Sequence, residues 1–125
     1  MPKFVTCLNC MDGRAQQPVI DWLQEHYAAE YIDMITEAGM DGRLAANSQL
    51  PENLAYKIGI SIEKHGSQHI FIVGHYDCGG HAVSEDDHRR DVLQSVDKIK
   101  KAWPDCLVAG LWISDKWEVA EIIRK

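Results

Sequence analysis

Apolar residues along this chain fall into short unbroken runs separated by longer stretches with helical spacing. The runs at residues 4–8, 31–35, 70–73 and 106–113 are rich in β-branched or aromatic side chains. Each is bounded by turn-forming residues, which predicts four buried strands. Between the first two, Val19, Ile20, Leu23 and Tyr27 share one helical face. Pro18 stands in the first turn, where its missing N–H is tolerated, so a helix is predicted over 17–27. Leu54, Ala55, Ile58 and Ile62 predict a second helix over 51–64, followed by Gly66 where a terminating glycine is expected. Val92, Leu93, Val96 and Ile99 predict a third, entered through the acidic turn Ser84, Glu85, Asp86, Asp87 and broken after Lys101 by Trp103 and Pro104. Met40, Asp41, Gly42 and Arg43 read as a turn-rich loop. Residues 114–125 fit either a short edge strand or a terminal helix, and the pattern does not choose.

Strands alternating with helices of this length imply right-handed crossovers and a parallel sheet covered on both faces. The expected fold class is α/β, a doubly wound, mainly parallel sheet in the order 2-1-3-4. That order makes the first and third strands neighbours at the switch point, beyond whose carboxyl ends ligands bind. The 125 residues read as a single domain, 1–125, without repeat, linker or low-complexity segment. Such a chain buries a core but is short for a deep private cleft, so a second subunit is expected to complete it.

Candidate chemistry sits at those strand ends. Gly74, His75, Tyr76, Asp77, Cys78, Gly79 and Gly80 follow the third strand directly. His75 and Cys78 can point an imidazole and a thiolate at one borderline cation, for which zinc is the usual occupant. The best third donor is Cys10, just past the first strand, and three protein ligands leave the open position of a catalytic zinc. Against this stands the ordinary role of cysteine as a small core residue. Cys7 is read that way because residues three apart on a strand face opposite sides, and Cys106 is read as structural too. Asp12 and Arg14 follow Cys10. They are either a surface ion pair, worth little, or a dyad in which Arg14 pins Asp12 so that it accepts a hydrogen bond from a zinc-bound hydroxide. His81 and His88 are read as surface histidines near the mouth of the site, with proton shuttling as the alternative. The Cys10 to Arg14 spacing is too short, and lacks the glycine-rich cradle, for a phosphatase loop.

Composition narrows the partners. With 13 basic and 19 acidic residues the net charge is −6, which argues against nucleic acid or an anionic membrane surface. The apolar runs are too short to span a bilayer, and the start Met1, Pro2, Lys3, Phe4 has no leader-like stretch, so a cytoplasmic protein is expected. Four cysteines in a reducing compartment are more often metal ligands or redox groups than disulfides.

Cys-x-Asp-x-Arg after the first strand, Ala38-Gly39 after the second, and Gly-His-x-x-Cys-Gly after the third together resemble the β-class carbonic anhydrases. The likeness runs from Phe4 to Gly80, and weakly into residues 108–115. The resemblance implies that Cys10, His75 and Cys78 bind Zn2+ and that Asp12 and Arg14 form the catalytic dyad. The reaction it implies is reversible hydration of carbon dioxide to bicarbonate. In that family the counterpart of Asp12 also swings in as a fourth zinc ligand. Two departures stand out. Thr36-Glu37 replaces the family's Arg-Asn, adding a carboxylate near the site, and the chain starts almost at its first strand, without the helices that embrace the partner subunit. Apolar surface left uncovered near Trp112 and Trp117 therefore predicts a homodimer or a higher even oligomer. The alternatives are a zinc hydrolase of another small electrophile, of the carbon disulfide or carbonyl sulfide type, and a non-catalytic zinc-binding module.

Overall fold

In the computed structural model, which describes residues 3–125, five strands form one sheet in the order β2-β1-β3-β4-β5. The strands are β1 (Phe4–Asn9), β2 (Tyr31–Thr36), β3 (His69–His75), β4 (Leu107–Ile113) and β5 (Val119–Arg124). The first four run parallel in the expected 2-1-3-4 order, and β5 adds an antiparallel edge against β4. Residues 114–125 thus resolve to a hairpin return and an edge strand. The leader reading of the N-terminus rests partly on Met1 and Pro2, which lie outside the described residues. Among the described residues no helix is long and apolar enough to cross a membrane.

The helices are α1 (Gln16–Tyr27), α2 (Met40–Ala46), α3 (Glu52–Glu63) and α4 (Glu85–Ala102), with a short 3₁₀ turn at Gly13–Ala15. Alternation along the strands sends Val5, Cys7, Phe71, Val73, Ala109 and Leu111 to one face, where Val19 and Leu23 of α1 cover them. Leu8, Ile70, Ile72 and Val108 face the other side, against α2, α3 and α4. Winding therefore reverses between β1 and β3, as the doubly wound reading requires.

One expectation is corrected. Residues 40–43 are not a loop but the first turn of α2. Gly39 enters it in a left-handed conformation (φ 62°). Met40, Asp41 and Leu44 are buried, and this packing overrides the low helix propensity of Gly42. Gly42 is also required there, because a Cβ at that position would lie 2.5 Å from the His81 ring. Several polar groups between the layers are paired. Thr6 and Ser67 each share a 2.7 Å hydrogen bond with Ser61, whose hydroxyl donates to Asp33, so α3 is tied to β1 and β2. Ser84 caps α4 by accepting from the Asp87 amide at 3.1 Å.

β4 packs tightly against α4 at Gly110, where an added Cβ would come 2.5 Å from Val92 Cγ1 and 3.0 Å from Ile123 Cγ2. Gly110→Ala should overpack this layer and destabilise the protein by roughly 1–3 kcal/mol, measured by urea unfolding. A change below about 0.5 kcal/mol, the range of an ordinary surface substitution, would show that the layer yields freely.

Candidate metal centre

Three chain segments meet at the carboxyl end of the sheet. β1 delivers Cys10, β3 delivers His75 and, one turn later, Cys78, and the β2–α2 junction delivers Ala38 and Gly39. Their close approach depends on glycine: a Cβ on Gly80 would stand 2.6 Å from the Ala38 carbonyl carbon and 2.7 Å from the Gly39 nitrogen. Gly79, by contrast, has open space around it. Only one of the paired glycines is sterically demanded.

The donor atoms of Cys10, His75 and Cys78 lie within 4.8 Å of one another, and all three residues are buried. The two sulfurs are 3.9 Å apart, close to the ~3.8 Å that a tetrahedral ion with 2.3 Å metal–sulfur bonds would impose. His75 Nδ1 donates to the Tyr76 carbonyl at 2.7 Å, which leaves the lone pair on Nε2. That nitrogen is buried without a partner, an arrangement that normally has a cause. The Gly39 amide points at Cys10 Sγ from 3.4 Å, as suits a sulfur carrying negative charge. Burial, and then the neighbouring Cys10, push the Cys78 thiol up to about 11; a coordinated cation deprotonates such a thiol outright. Two sulfurs, one unpaired imidazole nitrogen and an amide aimed at sulfur fit a borderline divalent ion.

Asp12 and Arg14 are joined beside this cluster. Arg14 Nε donates to Asp12 Oδ1 at 3.1 Å and Nη2 to Oδ2 at 2.6 Å, a two-pronged pair, while the Arg14 amide also donates to Oδ1 at 2.9 Å. These hydrogen bonds hold the Asp12 carboxyl down at about 2. Two contacts on Arg14 were not foreseen from sequence. Asp77 accepts from Nη1 through its carboxylate and from Nη2 through its carbonyl, both at 3.2 Å. The Trp117 ring lies 4.7 Å from the guanidinium carbon and 6.1 Å from the His75 ring. Asp77 was visible inside the His-x-x-Cys motif, but nothing in the sequence pointed Trp117 toward Arg14.

The remaining cysteines lie apart from the cluster. Cys7 faces the α1 side of the core, and burial pushes its thiol up to about 12. Cys106 is buried at the opposite end of the sheet, with its thiol also raised by burial. The Glu37 carboxylate accepts from Asn53 at 3.0 Å and faces Arg43 at 3.8 Å, so its charge is engaged by α3 and α2. His88 is not a surface histidine. It is 2% exposed and bonded through Nδ1 to Asp41 at 2.6 Å. Burial lowers its pKa, but the Asp41 hydrogen bond and the charges of Asp41 and Asp91 outweigh burial and raise it. A cavity of about 420 Å³ opens beside Cys78, walled by Val83, Trp112 and His88, far larger than a triatomic molecule needs.

Comparison with solved structures returns β-carbonic anhydrases. The enzyme of Streptococcus mutans is 19% identical, with a TM-score of 0.69 over 98% of this chain and 83% of that one. A tetrameric enzyme of Sordaria macrospora is 13% identical, with a TM-score of 0.67 over 99% and 82%. That of Glaciozyma antarctica is 18% identical, with a TM-score of 0.65 over 98% and 85%. At these identities the likeness establishes the fold. Comparison with curated proteins finds no match. Residues 1–123 match the family described as "Putative carbonic anhydrase". Since that match takes in nearly the whole sequence, the chain belongs to this carbonic anhydrase family.

Proposed function

We propose that this chain, acting as one domain over residues 1–125, catalyses the reversible hydration of carbon dioxide to bicarbonate at a zinc ion held by Cys10, His75 and Cys78. The observation that carries the reading is the unpartnered Nε2 of buried His75, facing two thiols 3.9 Å apart beside an ionised, two-pronged Asp12–Arg14 pair. A zinc ion there would act as a Lewis acid that activates water near neutral pH. Cys10 and Cys78 supply charge to balance the ion, and the Tyr76 carbonyl fixes which nitrogen of His75 is free to bind. Asp12, kept ionised by Arg14, accepts the O–H of the attacking water and so aims its oxygen lone pair at the substrate carbon. Arg14 keeps that carboxylate from drifting toward the cation, and Asp77 and Trp117 keep Arg14 in place. A closed state in which Asp12 bound the ion would require breaking two guanidinium hydrogen bonds.

The sheet face covered by α1 alone leaves Ile32, Met34, Leu107, Trp117 and Val119 only partly buried. This supports assembly of the chain as a homodimer or an even multiple of one. Four unpaired cysteines support a cytoplasmic setting.

Three measurements test these statements. Zinc analysis of Cys78→Ala should show most of the metal lost from the cluster, whereas Cys7→Ala retains it; the reverse pattern would refute the ligand assignment. Stopped-flow hydration by zinc-replete protein should be readily detected, and Asp12→Ala and Arg14→Ala should each lower kcat/KM on the order of 10²-fold with the cluster's zinc retained. Hydration no faster than buffer between about pH 6.5 and 9, where a zinc-activated water ionises, would favour the small-electrophile hydrolase or the non-catalytic zinc module. An unchanged rate in Asp12→Ala would sink the role given to that carboxylate. Sedimentation velocity at micromolar concentration should show dimers or larger even assemblies, and monomer alone would count decisively against the assembly.

A further inference from the structure

Behind the cysteine cluster lies a second group of metal-competent side chains that the proposed reaction does not use. Asp41 in the first turn of α2, His81 in the loop after β3 and His88 near the start of α4 bring one donor atom each within 4.8 Å of one another. Asp41 and His88 are 1% and 2% exposed, and Asp41 Oδ2 meets His88 Nδ1 at 2.6 Å. His81 is held differently. Its Nε2 lies 2.5 Å from Asp91 Oδ2, so that nitrogen carries the proton and donates to Asp91. Its Nδ1 edge lies against Gly42, close enough that a Cβ there would stand 2.5 Å from Nδ1. The lone pair of His81 is therefore on the nitrogen nearer α2, which carries Asp41. A carboxylate that holds one imidazole nitrogen while the other binds an ion is the recurrent outer arrangement of metal-ligating histidines. Asp91 follows His88 by three residues on α4, which brings both side chains to one side of that helix.

We propose that Asp41, His81 and His88 form a second divalent-cation site that takes zinc or a similar borderline ion such as cobalt. Two imidazole nitrogens and one carboxylate oxygen are a donor set suited to such ions. Asp41 and Asp91 place two carboxylates at the cluster, whose charge a dication would balance while displacing the proton that His88 Nδ1 shares with Asp41 Oδ2. Water completes the coordination from the groove lined by Gly42, Arg43, Gly80 and His81. The ion braces the first cluster. Asp41 lies two residues after Gly39, whose amide faces Cys10 Sγ. Asp41 Oδ2 also stands 3.0 Å from where a Gly74 Cβ would be, one residue before His75, and His81 follows Cys78 by three residues. One ion thus ties two of the three segments that meet at the cysteine cluster, the β2–α2 junction and the β3 exit, to α4. The site is separate from the proposed catalytic centre.

The full chain is loaded with zinc, freed of loose metal by gel filtration and analysed. Wild type should carry two zinc ions per chain, His81→Ala one, and Cys10→Ala/Cys78→Ala one. One ion in wild type and none in the double cysteine variant overturns the second site and leaves the first standing, and so do two ions retained by His81→Ala. One ion in both wild type and the double cysteine variant, with none in His81→Ala, overturns the cysteine site and leaves this one. Cobalt gives an independent reading. In Cys10→Ala/Cys78→Ala, bound cobalt should show visible ligand-field bands without the near-ultraviolet thiolate charge transfer, and His81→Ala in that background should abolish them. Far-ultraviolet circular dichroism checks that His81→Ala folds. If it does not, the double cysteine variant decides alone: ligand-field bands support the site and absence of bound cobalt overturns it.

Discussion

The parallel pairing of β1 with β3 is the constraint on which the rest of the molecule depends. Thr6, Cys7 and Leu8 register with Ile70, Phe71 and Ile72, joining segments more than sixty residues apart in the chain. That register brings the exits of both strands to the same height. Cys10 leaves one and His75 leaves the other, so a five-residue motif and a seven-residue motif become one cluster. Forming such a non-local pair is entropically expensive, and the apolar layers on both faces offset the cost. The backbone contact of Gly80 with Ala38 and Gly39 then adds β2, so that three strand ends converge where a doubly wound sheet opens.

Much of this was legible before any coordinates. The apolar runs located β1 to β4 because buried parallel strands carry continuous hydrophobic sequence, and the three long helices announced themselves by spacing. Cysteine and histidine at strand ends marked the cluster for the same topological reason. What escaped was set by tertiary contact. Residues 40–43 looked like a turn because Asp41 and Gly42 are poor helix formers on propensity alone, yet Asp41 is anchored by His88 and Gly42 makes room for His81. His88 looked exposed because nothing in its neighbourhood, Asp86 to Arg90, reports that one face of α4 turns inward there. Trp117 reaches Arg14 only because β5 folds back as an antiparallel edge, the one element that periodicity left open.

Arg14 shows how an exposed group is made to hold still. An isolated surface ion pair contributes little, but this guanidinium meets Asp12 on two nitrogens, Asp77 on a carboxylate and a carbonyl, and the Trp117 ring on its face. Each contact comes from a different segment: the β1 exit, the β3 exit and the β4–β5 return. Orientation here is a product of geometry from three directions, so it survives solvent exposure in a way that a single Coulombic contact does not.

Two of those segments hold Arg14 through non-glycine residues in the left-handed region, Asp77 at φ 56° and Trp117 at φ 59°. A side chain in that conformation costs on the order of 1 kcal/mol. Ala28 shares the conformation (φ 53°) as the cap of α1, far from the cluster. The three positions are equal as strain but unequal as opportunity. Glycine at residue 28 would relax the backbone at no functional expense, whereas glycine at 77 or 117 would gain the same relief by removing a wall from around the guanidinium. Robustness and the order around Arg14 therefore pull in opposite directions at one pole of the sheet and are independent at the other.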